Sequence, residues 1–361
     1  MKSFAADKIF AHRERIMEWL KTGTPRPVTF ELDITNACNH RCPSCFGFHP
    51  ALDASRMGFA DIKNILAQIA ELGAKAVTFT GGGEPLAHPQ ALPALAHARS
   101  LGLDVALITN GSALTPEAAE VILTNCVWTR ISLDAASPEV FQKMHGLNGN
   151  AYHKVLANIR ELCAQKAKSS SRCTIGIGFL TSRQSRADTY GFSRIGRELG
   201  VDYAQYRPLL RRHGEPDIDY LEGKEIADMT RGRCDFSNER YHVLCSEHKY
   251  RQISAGTIAR SYAACYGQHF ATVIGADMKV YVCCHMRGLA KYCLGDLRRE
   301  TLRGIWYSQR RQETAQSIDF KDCPPLCRCD SFNRILWDIK TGSLPEASWP
   351  PDAHWEHENF I

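Results

Sequence analysis

Three cysteines fall within eight residues, Cys38, Cys42 and Cys45, spaced by three and then two residues directly after an apolar run. Thiolates are soft ligands that select zinc, copper(I) or iron–sulfur clusters. A loop supplying three of them can hold three corners of a cubane and leave the fourth iron to bind another molecule. The competing reading is structural zinc, which needs a fourth ligand; His40 lies awkwardly inside the loop, and His49 is the better candidate. A second group of thiols gathers late, at Cys265, Cys283, Cys284, Cys293, Cys323, Cys327 and Cys329. Fifteen cysteines without a secretion signal argue for metal or cluster ligation over a disulfide framework. Cys126, Cys163 and Cys173 fall in regular elements, where a small buried hydrophobe is the expected role. Cys234 and Cys245 stay open between ligand, radical-quenching thiol and neither.

The 361 residues are 44% hydrophobic and 23% charged, the balance of a soluble globular protein with room for one large domain and a smaller module. A formal net charge of +5, with no basic block denser than the pair Arg211-Arg212, gives little to track a phosphate backbone, so nucleic acid is not an expected partner. No apolar run approaches the roughly 18 residues of a membrane helix, and the expected location is the cytoplasm.

The elements that must position these thiols are legible from periodicity. Residues 1–22 scatter Ile9, Phe10, Ile16, Trp19 and Leu20 among charges as an amphipathic helix does. Residues 28–34 alternate as a strand whose C-terminal end delivers the cysteine loop, and 59–72 form a helix stopped by Gly73. Further strands are expected at 76–80, 105–109, 129–134, 174–180 and 203–207, with helices including 116–123, 152–164 and 189–199. Six strands alternating with helices mean parallel βαβ units, in a doubly wound sheet or a barrel. In either, functional residues gather at the C-terminal strand ends. There lie Gly81-Gly82-Gly83-Glu84-Pro85, Asn110, Ser132 and Asp134, then Gly176 and Gly178 on the fifth strand and Arg207 at the end of the sixth.

The Cys-x3-Cys-x2-Cys spacing resembles the defining motif of the radical S-adenosylmethionine (SAM) superfamily, although Ser44 stands where members often carry an aromatic residue. The resemblance implies a partial (β/α)6 TIM-like barrel. It also implies a [4Fe–4S] cluster on Cys38, Cys42 and Cys45 that chelates SAM, whose reduction yields a 5′-deoxyadenosyl radical. Gly82-Gly83-Glu84-Pro85 is similar to the family's G-G-E-P element, which holds the SAM amino group. Asn110, Ser132 and Asp134 match its T-N-G and S-L-D elements, with Ser132 favoured over Asp134 for direct contact. Gly176 and Gly178 are expected to let SAM pack against backbone. Arg207 is expected to pair with the SAM carboxylate, a substrate anion or a surface partner.

From Cys265, a strand–turn–strand run to Cys283, a Leu-Gly-Asp-Leu element at 294–297 and the cysteines at 323–329 resemble the SPASM and twitch auxiliary-cluster modules, small α+β iron–sulfur domains. The full SPASM cysteine run is absent, so one auxiliary [4Fe–4S] cluster is expected on Cys265, Cys283, Cys323 and Cys327. Cys284, Cys293 and Cys329 are held in reserve, Cys329 as a replacement for Cys327; zinc is the competing metal. The chain divides into an N-terminal helix (1–24), the barrel (25–215), a connection (216–258), the auxiliary domain (259–335) and a tail (336–361). The tail's aromatic residues are expected to dock over the open barrel, in preference to metal binding by His354 and His357.

The implied activity is hydrogen abstraction from a substrate carbon, an oxidation or epimerisation of a small molecule such as a sugar or cyclitol, with electrons from a flavodoxin or ferredoxin-type donor. A peptide maturase is the alternative enzyme. A non-catalytic iron–sulfur or zinc scaffold is the alternative without chemistry.

Overall fold

Strands and helices alternate from the cysteine loop onward in a computed structural model that describes residues 6–45, 54–210, 220–221, 223–324, 326–351 and 355–361. His49, Arg211, Arg212 and His354 lie outside the described residues. A 3₁₀ turn at Ala6–His12 leads into α1 (Arg13–Thr22). Then follow β1 (Thr29–Asp33), α2 (Phe59–Glu71), β2 (Ala76–Thr80), α3 (Ala91–Ser100), β3 (Asp104–Thr109), α4 (Pro116–Asn125) and β4 (Cys126–Ser132). After α5 (Pro138–His145) and α6 (Gly149–Lys168) come β5 (Thr174–Thr181), α7 (Thr189–Leu199) and β6 (Tyr203–Pro208). Thr115 and Ser137 start α4 and α5 by accepting the N–H groups of Ala118 and Val140, each with proline at the first helical turn.

The six strands pair parallel in chain order, as the alternation requires. Residues 216–258, read as a connection, instead add a seventh unit: α8 (Gly223–Phe236), β7 (His242–Cys245), parallel to β6, and α9 (Glu247–Ser254). Four residues of strand among polar neighbours carry too little periodicity to announce themselves; the exposed edge of β6 recruits them.

The expected hairpin forms as β8 (Ala271–Ile274) and β9 (Lys279–Tyr281), with β10 (Cys293–Asp296) antiparallel beyond it. Its first strand also pairs parallel with β1, so the C-terminal module continues the barrel sheet in the order β10-β9-β8-β1-β2-β3-β4-β5-β6-β7. The chain then forms α10 (Leu302–Trp306), α11 (Gln309–Gln316) and α12 (Asp330–Lys340).

Period-two alternation gives the barrel two unlike faces. Phe30 and Leu32, Val77 and Phe79, and Ile175, Ile177 and Phe179 pack into the main core. The opposite face carries Thr29 and Glu31, Thr78, Arg130, and Tyr203, Gln205 and Arg207, which line one cavity. Closed (β/α)8 barrels fill their interior with branched apolar side chains; this one is lined with polar groups, which marks it as a binding space.

A second core joins the chain's two ends. Ile9, Phe10, Ile16 and Trp19 pack with Phe332, Leu336 and Ile339 of α12 and with Trp349 and Trp355. The last residues cross the N-terminal ends of the barrel strands: Asn359 Nδ2 donates to Asp104 Oδ2 (2.7 Å), His357 Nε2 lies 2.9 Å from Thr174 Oγ1, and Phe360 sits edge-on to Trp128. The aromatic tail therefore docks on the barrel beneath the strands, and His357 is bonded to Thr174.

A buried ion pair ties module to barrel. Arg287, 5% exposed, pairs with the fully buried Asp33 at the end of β1, lies 4.0 Å from Glu31 and reaches Gly81 O at 3.4 Å. Burial pushes the Asp33 carboxyl up to about 6, and Arg287 opposes that rise. Removing one partner of a buried pair leaves the other charge uncompensated, at about 3–5 kcal/mol. Arg287→Met is expected to lower unfolding stability by about that amount in denaturant titration, and adding Asp33→Asn is expected to recover part of it.

Candidate functional site

The cysteine loop is held by the glycine loop that follows β2. Gly83 N donates to Thr35 O at 3.0 Å and Glu84 N to Ala37 O at 2.9 Å. A Cβ on Gly83 would collide with the backbone of Asn36 and Ala37, so glycine is required by the closeness of the two loops. Glu84, 3% exposed, receives Thr109 Oγ1 (2.6 Å) and Leu86 N (3.0 Å) on one oxygen and Asn110 N (2.7 Å) on the other. A carboxylate accepts about four hydrogen bonds, so three are spent here, two of them joining the end of β3 to the loop after β2 and one capping that loop at Leu86. Asn110 Nδ2 in turn donates to Asn39 Oδ1 at 2.7 Å and lies 4.0 Å from Cys38 Sγ. Glu84 and Asn110 thus position the cysteine loop.

Cys38, Cys42 and Cys45 lie close enough for their charges to couple, and burial and that mutual repulsion push the Cys42 thiol well up. A bound cation relieves both costs, and the donor set of three thiols fits a cluster with one open iron. Cys126 and Cys173, by contrast, are buried in the core. On the far side of Cys42, His40 Nδ1 lies 3.2 Å from His145 Nδ1, and His145 Nδ1 lies 3.5 Å from Cys42 Sγ. These three residues stand within one metal's reach of each other. The outer nitrogens are already engaged, His40 Nε2 with Ser112 Oγ (2.6 Å) and His145 Nε2 with Leu133 O (2.9 Å). Burial lowers both imidazoles to about 4, so they are neutral at pH 7.

At the end of β4, Ser132 is half-buried, while Asp134 adopts a left-handed conformation (φ 51°) and accepts Leu180 N at 2.7 Å. Asp134 therefore ties β4 to β5, and its burial raises it to about 6. Gly178 leaves room for the side chains of Arg130 and Arg207, which a Cβ would touch at 3.5 Å. Gly176 does not serve a ligand as expected: the Tyr203 ring occupies the space over it. Gly82 is buried in the glycine loop, its N–H toward Asp33.

In the C-terminal group, the charges of Cys265, Cys283, Cys323 and Cys329 couple to one another. Cys327 joins that set through Cys329: its Sγ accepts Cys329 N at 3.4 Å, its side chain bonds that of Cys329, and its charge also couples to Lys249 and Tyr262. Cys329 is the one of the pair whose charge reaches Cys265, Cys283 and Cys323, with Cys327 bonded to it. Asn333 of α12 receives Tyr266 N (2.5 Å) and Gly267 N (2.8 Å), and Arg260 donates to Pro324 O (2.6 Å), fixing the loops that carry Cys265 and Cys323. Cys284 couples to Cys283 and Cys329, whereas Cys293 bonds Gly295 O at 3.6 Å and couples to Lys279 and Asp277. Cys234 is exposed and Cys245 couples to Arg233 and Glu247, so neither joins a thiol group.

The sequence reading missed Arg130, Lys249, His145 and Arg287. Arg130 had a signal, a charge in the middle of an otherwise uncharged strand; the others had none.

Residues 32–186 match the family model of the radical SAM superfamily, and residues 265–330 match that of the SPASM iron–sulfur cluster-binding domain. Over 305 residues the chain is 25% identical to the AdoMet-dependent heme synthase of Methanosarcina barkeri, covering 79% of this chain and 83% of that one. It is 28% identical to the mycofactocin maturase of Mycobacterium ulcerans over 180 residues, about half of each chain. Streptococcus suis SuiB, solved with its precursor peptide, shares the fold with a TM-score of 0.66 at 14% identity, covering 85% of this chain and 70% of SuiB.

Gly83→Ala is expected to push the cysteine loop off its seat and lower anaerobically reconstituted iron by about one cluster's worth at unchanged circular dichroism. Gly223→Ala, where a Cβ meets nothing within 4 Å, is the matched control. Cys329→Ala is expected to remove about one cluster's worth of iron while Cys327→Ala retains most of it; the reverse pattern would restore Cys327 as the ligand.

Proposed function

Because this chain is a radical SAM enzyme with a C-terminal SPASM domain, binding SAM, a [4Fe–4S] cluster and an auxiliary iron–sulfur cluster, we propose that it abstracts a hydrogen from a carbon of a small molecule held inside its barrel. Cys38, Cys42 and Cys45 are assigned to the SAM-binding cluster, and Cys265, Cys283, Cys323 and Cys329 to the auxiliary one. When bound, the first cluster supplies the electron that cleaves SAM to the radical that takes the hydrogen.

The protein's own contribution is placement. Glu84 retains one acceptor site toward the SAM amino group, and Ser132, Gly82 and Gly178 border the same strand ends. The barrel aims one C–H bond at the reacting carbon and excludes water. The observation that carries this reading is the cavity of about 230 Å³ lined by polar strand residues, among them Arg207 on β6, with Lys249 coupled to the auxiliary cysteines. An auxiliary cluster held by the C-terminal cysteines would supply an electron acceptor, which favours oxidation over epimerisation. A flavodoxin or ferredoxin-type protein is the proposed donor.

A peptide-modifying reaction is the second reading, supported by the similarity to a mycofactocin maturase. The expectation of a neutral sugar or cyclitol is not carried forward, because the cavity wall is cationic. Among the described residues no helix is long and apolar enough to cross a membrane.

Anaerobically reconstituted protein given dithionite and SAM is expected to release 5′-deoxyadenosine, and Cys42→Ala to abolish it. Fully iron-loaded wild type that releases none would refute the enzyme reading.

A further inference from the structure

The barrel interior holds more positive charge than its surroundings balance. Arg130 on β4, Arg207 on β6 and Lys249 on α9 line the same cavity. Arg130 and Lys249 are 8% and 7% exposed. Burying a cation without a partner costs several kcal/mol, roughly, so such groups are paired or wait for a ligand. Arg130 Nη1 donates to a neutral acceptor, Gln205 Oε1, at 3.1 Å. Neither the Arg207 guanidinium nor Lys249 Nζ has a hydrogen-bond or ion-pair partner among the described residues.

The nearby carboxylates are committed elsewhere. Asp134 is the one whose charge reaches both arginines, yet it accepts Leu180 N and lies 3.6 Å from His145. Glu31 is paired with Arg328, and Asp330 accepts Tyr262 Oη at 2.7 Å. The cations also repel one another: after burial, Arg130 is the largest influence lowering Arg207, and Arg207 also lowers Lys249.

SAM brings a single carboxylate. That one charge leaves a surplus on two arginines sharing Asp134, and Lys249 stands on the auxiliary side, coupled to Cys327, Asp330 and Cys329. The floor beneath them is aromatic, formed by Trp128 and Phe360.

We infer that Arg130, Arg207 and Lys249 together recognise an anionic group of the substrate, a carboxylate or a phosphate. The substrate class is then an organic acid or a phosphate ester. This rests on the radical SAM reading only in taking the barrel as the substrate site. An anion held there lies beside Lys249, whose charge couples to Cys327 and Cys329 of the C-terminal group.

The test uses holoenzyme with both clusters and saturating SAM, titrated calorimetrically in low chloride with succinate, inorganic phosphate and, as the neutral counterpart, 1,4-butanediol. At least one anion is expected to bind saturably and butanediol not at all; which anion wins separates carboxylate from phosphate. One lost charge-assisted hydrogen bond corresponds to about a tenfold weaker affinity. Lys249→Met is expected to show that loss, Lys249→Arg to recover it, and Arg231→Met, on an exposed side chain of α8, to bind as wild type.

SAM affinity is measured in the same samples. The inference is overturned if neither anion binds, if butanediol binds as well, if Lys249→Met and Arg130→Met bind the anion as wild type does, or if they lose SAM in the same proportion. Release of 5′-deoxyadenosine by wild type without substrate reports the enzyme reading separately. A protein that releases it but binds no anion overturns this inference alone.

Discussion

The contact on which the rest depends is between two loops, joined by the bonds from Gly83 N to Thr35 O and from Glu84 N to Ala37 O. The parallel pairing of β1 with β2 brings both loops to the same edge of the sheet. The missing side chain at Gly83 lets them close to backbone contact. Three thiols on a freely moving loop would lose conformational entropy on binding a cluster; here the fold has already met part of that cost. Glu84 extends the constraint to the end of β3 through Thr109 and Asn110. A buried carboxylate with three protein donors is an organising post, whatever its remaining lone pair contacts.

The same economy appears on the other side of the barrel. β8 pairs with the free edge of β1, so the strand presenting the first cysteine loop also supports the hairpin between Cys265 and Cys283. Arg287 then reaches back to Asp33. The two thiol groups are linked through one strand and the buried Arg287–Asp33 pair, so rigid elements fix their separation. The barrel cavity is polar because strand alternation sends the apolar side chains outward to the helices, and Gly176 and Gly178 on β5 give up volume to Tyr203, Arg130 and Arg207.

Sequence by itself determined what depends on local spacing. Cys38, Cys42 and Cys45 declared their chemistry by their intervals, the parallel βαβ architecture followed from alternating periodicities, and the hairpin after Cys265 was readable from its strand–turn–strand pattern. Strand ends named the loops where Gly83, Glu84, Asn110 and Asp134 converge. Tertiary structure alone decided what depends on packing between distant segments. Cys329 and Cys327 are indistinguishable in sequence, and only the folded chain brings the charge of Cys329 near Cys265 and Cys283. β7 exists because β6 has an edge to offer it. Gly176 looked like a ligand platform until Tyr203 covered it. Lys249 joins Arg130 and Arg207 across more than a hundred residues of chain, and no local pattern records a surplus of charge that arises only when three separate elements face one cavity.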